Sequence, residues 1–190
     1  MARWHDGRVP HDSVFGRLVG EPALDRPDLL APPVLAALKA SAGGEVLVAA
    51  IDPELADTAA FCAAYDVRPE DSANCVVVAG KREGETRYAA CMILATTRAD
   101  VNGVVRRRLD VRKASFAPMA EAVELTGMEY GGITPIGLPD GWPILVDAAV
   151  AASDAVVIGS GIRGSKIAIA GRALAALPGA VVVEGLANPA

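Results

Sequence analysis

Histidine is almost missing from this 190-residue sequence, which holds only His5 and His11, both in its polar opening stretch. Nothing later in the chain can supply an imidazole, so a Ser-His-Asp triad, a Cys-His pair or a histidine-rich metal site is excluded unless that stretch folds over a pocket. Any hydrolysis must then use backbone dipoles, carboxylates, lysines or the substrate itself. Cysteine is scarce as well. Cys62, Cys75 and Cys91 are odd in number, widely spaced and set among apolar neighbours, which fits reduced core thiols and neither a disulfide framework nor a zinc site. No apolar run reaches the roughly 18 residues that cross a bilayer, and Met1 to Arg8 are too polar for a secretory signal. A soluble, cytoplasmic protein is expected. An excess of basic charge is also lacking: the net charge of −5 argues against a protein that coats nucleic acid. The densest basic cluster is Arg106, Arg107, Arg108, Arg112 and Lys113, either a solvated face or a contact for an RNA backbone.

Apolar residues are plentiful, at 52% of the chain, enough for one domain with one sizeable core. Residues 1–28, rich in Pro, Gly, Asp and Arg without periodicity, read as an N-terminal extension or weakly ordered arm, and 29–190 as the domain. Pro32-Pro33 opens a helical pattern through Val34, Leu35 and Leu38 that Gly43-Gly44 stops, and Glu45 to Ala50 reads as a strand. Asp57-Thr58 caps a second helix. Cys75–Ala79 and Tyr88–Leu94 flank the polar stretch Gly80–Thr86, the pattern of a hairpin with a longer turn. Thr97-Arg-Ala-Asp100 has capping-box spacing and leads into a helix through Leu109, and a shorter helix runs from Pro118 to Gly127. The Gly- and Pro-rich stretch 127–143 is a long loop of the kind that is usually functional or disordered. Strands follow at 144–146, 155–158, 166–170 and 180–183, with a helix at 172–177. Strands without strict alternation predict a mixed α/β fold in which helices pack outside a mixed sheet or barrel.

Three constellations could carry chemistry. In Gly131-Gly132-Ile133-Thr134-Pro135, adjacent glycines let backbone N–H groups approach a ligand and hold an oxyanion; the same residues also make a plain tight turn. Gly159-Ser160-Gly161-Ile162-Arg163-Gly164 follows a strand and matches the dinucleotide pattern G-x-G-x-x-G, with Glu184 further on. The segment after it, however, reads at least as well as a strand as a helix. Asp147 ends a strand, where a carboxylate either points into a cleft to orient water or caps a helix.

Taken in order, Val76–Gly80, Lys113–Ser115, Leu125–Gly127, Gly131–Gly137, Leu145–Asp147 and Gly159–Gly164 resemble the successive signature segments of the YbaK/prolyl-tRNA editing-domain family, whose usual Gly-Gly-Ile-Ser-Pro is close to Gly131–Pro135 here. The resemblance implies a barrel-like mixed sheet surrounded by helices, and an aminoacyl-tRNA deacylase that uses neither metal nor organic cofactor. Its partner would be aminoacyl-tRNA, with an aminoacyl-tRNA synthetase as a further candidate, and neither DNA nor a membrane. Carried over residue by residue, Gly131 and Gly132 would supply backbone donors, and Asp147 would orient water or the ribose. Asn74, Ile133, Thr134, Pro135, Ser160, Gly161 and Arg163 would bind substrate. Arg106, Arg107, Arg108 and Lys113 would meet RNA, Arg163 sharing in this. One departure stands out. Relatives carry a lysine two positions before the Val-Val strand, and here Asn74 occupies that place, able to donate hydrogen bonds but not charge; Lys81, across the following turn, is not placed to replace it. A binding module without turnover is the alternative this opens.

Overall fold

The computed structural model describes residues 14–41 and 46–190, so His5, His11, the Gly43-Gly44 stop and Glu45 lie outside the described residues. In chain order the elements are β1 (Glu21–Pro22), α1 (Pro32–Ala40), β2 (Leu47–Ala50), α2 (Thr58–Tyr65), β3 (Ala73–Arg82), β4 (Glu85–Leu94) and β5 (Thr97–Ala99). Then come α3 (Arg106–Arg108), β6 (Ala114–Phe116), α4 (Met119–Thr126), β7 (Ile144–Asp147) and α5 (Ala148–Ala152). The chain closes with β8 (Val156–Gly159), β9 (Ser165–Ile169), α6 (Gly171–Ala175), β10 (Ala180–Val183) and β11 (Ala187–Pro189).

Two main sheets, ordered β1-β2-β9-β8 and β10-β7-β4-β3-β6, meet where Ser72 bridges Val157 in parallel. The pairs β4–β7 and β7–β10 are parallel and the others antiparallel, giving the expected mixed α/β, barrel-like wrap. Strand alternation sorts the side chains into layers. Val48, Met92, Val146, Ile158, Ile167 and Ile169 fill the space between the sheets. On the outer side of the first sheet, Leu47, Ala49, Val157 and Ala168 pack under Phe61 of α2. Val78, Cys91, Leu145 and Val183 do the same under Val105 and Leu109.

Local chemistry explains most boundaries and corrects some. Pro32 and Pro33 start α1, where a missing N–H costs nothing. Gly127, at φ 66°, ends α4 in the left-handed conformation. The hairpin turn is shorter than the polar stretch suggested: pairing continues to Arg82↔Glu85, and Glu83 and Gly84 alone turn the chain, both at positive φ as a tight hairpin loop requires. Charged residues at the sheet's exposed end disguised strand as turn. Thr97 is likewise no helix cap. It lies in β5, paired with β11, while Asp100 caps a wide turn over Val101–Val105 by accepting from Gly103 N and Val104 N. Residues 14–28, read as an extension or weakly ordered arm, are packed on the domain: Val14 and Phe15 are core residues, and Glu21 pairs with Val48. Short 3-10 turns without periodicity hid this from the sequence. The stretch 127–143 carries no helix or strand, as expected. The cysteines are free thiols, and burial raises those of Cys75 and Cys91.

Candidate active site

Two glycine turns are pressed together at the centre of the candidate site. Gly132 N donates to Glu129 O at 2.9 Å, Gly161 N to Gly132 O at 2.7 Å, and Glu129 N to Gly161 O at 2.8 Å. A Cβ on Gly132 would stand 2.5 Å from Ile162 O, and one on Gly159 only 2.3 Å from Gly132 O. Backbone therefore packs on backbone, and neither position admits a side chain. These bonds assign the residues different tasks. Gly132 N is spent on its own turn, whereas the N–H groups of Gly131, Ile133 and Thr134 have no hydrogen-bond partner among the described residues. Gly131 is exposed, Ile133 half-buried, and Thr134 and Pro135 are buried. Thr134 Oγ1 is a buried hydroxyl with no partner among the described residues.

Ser160 and Gly161 brace this arrangement and do not open onto solvent. Ser160 is fully buried, with its hydroxyl 2.7 Å from Ser165 Oγ and its carbonyl accepting from Ala31 N. Arg163 is a clamp: Nη1 donates to Tyr130 O at 3.2 Å, Nη2 to Pro53 O at 2.8 Å, and its backbone N to Glu129 Oε2 at 2.7 Å. Its guanidinium ties the glycine loop to the turn before α2 and is not held out toward a phosphate. The dinucleotide reading of Gly159–Gly164 fails on topology, because the segment joins β8 to an antiparallel β9 and opens no helix whose N-terminus could take a pyrophosphate.

The helix α2, whose preceding turn Arg163 ties to the glycine loop, begins over a cleft of ≈ 820 Å³ whose wall includes Asp57, Thr58, Cys62, Asn74, Ala95 and Thr96. Asp57 caps α2 by accepting from Ala59 N at 3.1 Å, as its position before the helical run requires. Thr58 Oγ1 donates to Asn74 Oδ1 at 2.7 Å, so the Asn74 amide is fixed by the helix that walls the cleft. Ser72 and Val157 share a face at their bridge. Two residues on along each strand, Asn74 and Gly159 share it too, and Lys166, paired with Gly159, points the same way. Lys166 and Asn74 both reach the turn that opens α2, the one through Ala56 O and the other through Thr58 Oγ1.

Lys166 was not singled out by sequence reasoning, although a lysine inside the apolar run Lys166-Ile-Ala-Ile-Ala170 was a visible signal. It is 7% exposed, its Nζ donates to Ala56 O at 2.9 Å, and it lies 5.3 Å from the centroid of the Phe61 ring. Burial, which disfavours the charged form, lowers the ammonium to about 8; the fields of Cys62 and Asp57 act against this and that of Arg163 with it.

Asp147 takes the second of its two sequence readings, the helix cap. Oδ1 accepts from Ala149 N at 2.9 Å, capping α5, and Oδ2 from Ala187 N at 3.1 Å. Both oxygens are engaged by the fold, each with one backbone N–H. The basic residues lie elsewhere. Arg107, Arg108 and Lys113 are exposed and Arg106 bonds Asn102 O. Lys113 adjoins β6, which pairs with β3 at Val78–Gly80; Gly80 is six residues, or about 20 Å of extended chain, from Asn74. The structure does not gather them at the cleft.

The aminoacyl-tRNA editing domain family model matches residues 52–177, which include the cleft, the glycine loop and the Gly159–Gly164 turn. No curated protein sequence matches significantly. Among solved structures, the hypothetical protein APE2540 superposes with a TM-score of 0.71 at 23% identity, over 82% of this chain and 99% of that one. A candidate trans-editing enzyme for prolyl tRNA synthetase superposes with a TM-score of 0.69 at 22% identity, over 81% of this chain and 94% of that one. No helix among the described residues is long and apolar enough to cross a membrane.

Proposed function

Because this chain belongs to the aminoacyl-tRNA editing domain family, we propose that it is a trans-editing deacylase that hydrolyses the ester of mischarged tRNA carrying a small amino acid. The tRNA-Pro acceptor is favoured by the likeness to a candidate trans-editing enzyme for prolyl tRNA synthetase. The observation that carries the reading is the glycine loop, tied by Arg163 to the turn before α2, whose N–H groups at Gly131, Ile133 and Thr134 have no partner among the described residues. Water attacks the ester carbonyl, the oxygen that becomes negative is received by these N–H groups, and the ribose oxygen leaves and takes up a proton. An activated ester needs orientation and a few placed dipoles more than a strong base, so the lack of histidine is no obstacle. Thr134 Oγ1 and the Asn74 amide serve as the polar contacts of the bound aminoacyl end, Ile133 and Pro135 shape its wall, and Arg163, Ser160 and Gly161 hold the loop in place.

A second reading, binding without turnover, rests on Asn74, which leaves β3 without a charge at the cleft. Release of labelled amino acid from alanyl-, cysteinyl- and seryl-tRNA-Pro, with prolyl-tRNA-Pro as reference, separates the two. Selective release that Thr134→Val reduces supports the deacylase; tight binding with no release from any tRNA supports the binding module.

A further inference from the structure

Among the described residues, Lys166 is the only charged side chain in the buried class. A buried ammonium is costly in any fold and persists where its charge or its hydrogen bonds are used. Only one of its three N–H donors has a partner among the described residues, Ala56 O at 2.9 Å. That carbonyl is well chosen. Ala56, Asp57 and Thr58 are consecutive, and the turn they form carries the lysine at one end and, through the 2.7 Å Thr58–Asn74 bond, the asparagine at the other. The same turn is tied to the glycine loop by Arg163, which donates to Tyr130 O and to Pro53 O. The ammonium thus bonds the residue next to the α2 cap, from a strand position paired with Gly159.

We propose that Lys166 is the positioning cation behind this cleft: entering from β9 under the Ala56–Thr58 turn, it performs the electrostatic task that Asn74, bonded to the other end of the same turn from β3, cannot. The proposal rests on the deacylase reading for its reaction but not for its test. Lys166 acts by fixing the turn that faces Gly131 and by placing positive charge behind the N–H groups that receive the ester oxygen, in surroundings where water screens little. With its ammonium lowered only to about 8, it remains charged at neutral pH. Asp57, Cys62 and Arg163 are the titratable and charged neighbours whose fields act on it.

The deciding experiment moves the charge from one strand to the other. Lys166→Met, Asn74→Lys and the double variant are compared for kcat and KM of amino-acid release, and for the Kd of an adenosine bearing the amino acid through a 3′-amide, which cannot be hydrolysed. Lys166→Met is expected to lower kcat about 100-fold with a smaller change in KM, and Asn74→Lys in that background to restore most of it. A purely structural lysine would not be rescued from β3. A folded Lys166→Met variant as active as wild type, or a loss that Asn74→Lys leaves unrepaired, overturns the proposal. If wild type releases nothing from any tRNA, the deacylase reading falls alone. The lysine is then judged by the amide's Kd, expected to weaken about 10-fold in Lys166→Met and recover in the double variant; equal binding by wild type and variant, or binding by neither, overturns it. Should Lys166→Met fail to fold, the ε-carbon resonance of Lys166 in the wild-type protein decides, shifting when the amide saturates the site if the proposal holds and staying fixed if it does not.

Discussion

At the scale of single residues, two buried polar groups distinguish this site from its surroundings: among the described residues, the Thr134 hydroxyl has no partner and the Lys166 ammonium bonds one carbonyl. Both work against the stability of the fold. For Lys166 this has a measurable sign. Its ordinary value of 10.5 falls to about 8 in the fold. Below about pH 8 it is charged in both states and the folded protein bears the desolvation. Between about 8 and 10.5 the unfolded chain holds more protons, so this contribution makes stability rise with pH, by about 3 kcal/mol across the window. Urea unfolding of wild type and Lys166→Met across this range is expected to show a difference that shrinks as pH rises. Parallel curves would mean that the lysine titrates at its ordinary value. Sequence reading gave Lys166 no role because periodicity assigns a residue to a strand but says nothing about which face α2 covers.

At the scale of elements, the Gly159–Gly164 connection and the 127–143 loop act as one unit, because each supplies the carbonyls that the other's N–H groups need. Arg163 fastens that unit to the turn before α2. Truncating it as Arg163→Ala is expected to lower deacylation about 10-fold by loosening the loop, while the salt dependence of tRNA binding stays unchanged because the guanidinium is committed to carbonyl oxygens. A slope reduced by about one would instead make Arg163 a phosphate contact. The cap at Asp147 belongs to the same scale. Asp147→Ala removes the α5 cap and the bond to Ala187 N, and is expected to cost about 1–2 kcal/mol in urea unfolding. Lost activity in that variant therefore has to be corrected for unfolded protein before any role in chemistry is assigned. The sequence held both readings of Asp147 open, since a carboxylate after a strand looks the same whether it faces a cleft or the next helix.

At the scale of the whole molecule, a chain of net charge −5 must bind a polyanion through a local patch. Arg107 and Arg108 are exposed with no partner among the described residues, so they are free to meet phosphate. Replacing both with alanine is expected to weaken tRNA binding uniformly across amino acids and to lower the salt slope by about two, with kcat for bound substrate unchanged. An unchanged slope would make this a solvated face.

The sequence by itself determined the mixed α/β class, most of the strands and helices, the glycine loops and the absence of any imidazole after the opening residues, because these follow from local pattern and residue type. Tertiary structure decided which of those pieces meet. Glycine spacing could not tell that Gly132 and Gly159 pack backbone to backbone, nor that the G-x-G-x-x-G turn joins two antiparallel strands. Nor could composition show that Phe15 enters the core or that Lys166 and Asn74 hold the two ends of one turn. Such contacts join residues far apart in the chain, and they are selected by how the outer face of a sheet is covered, which no local pattern records.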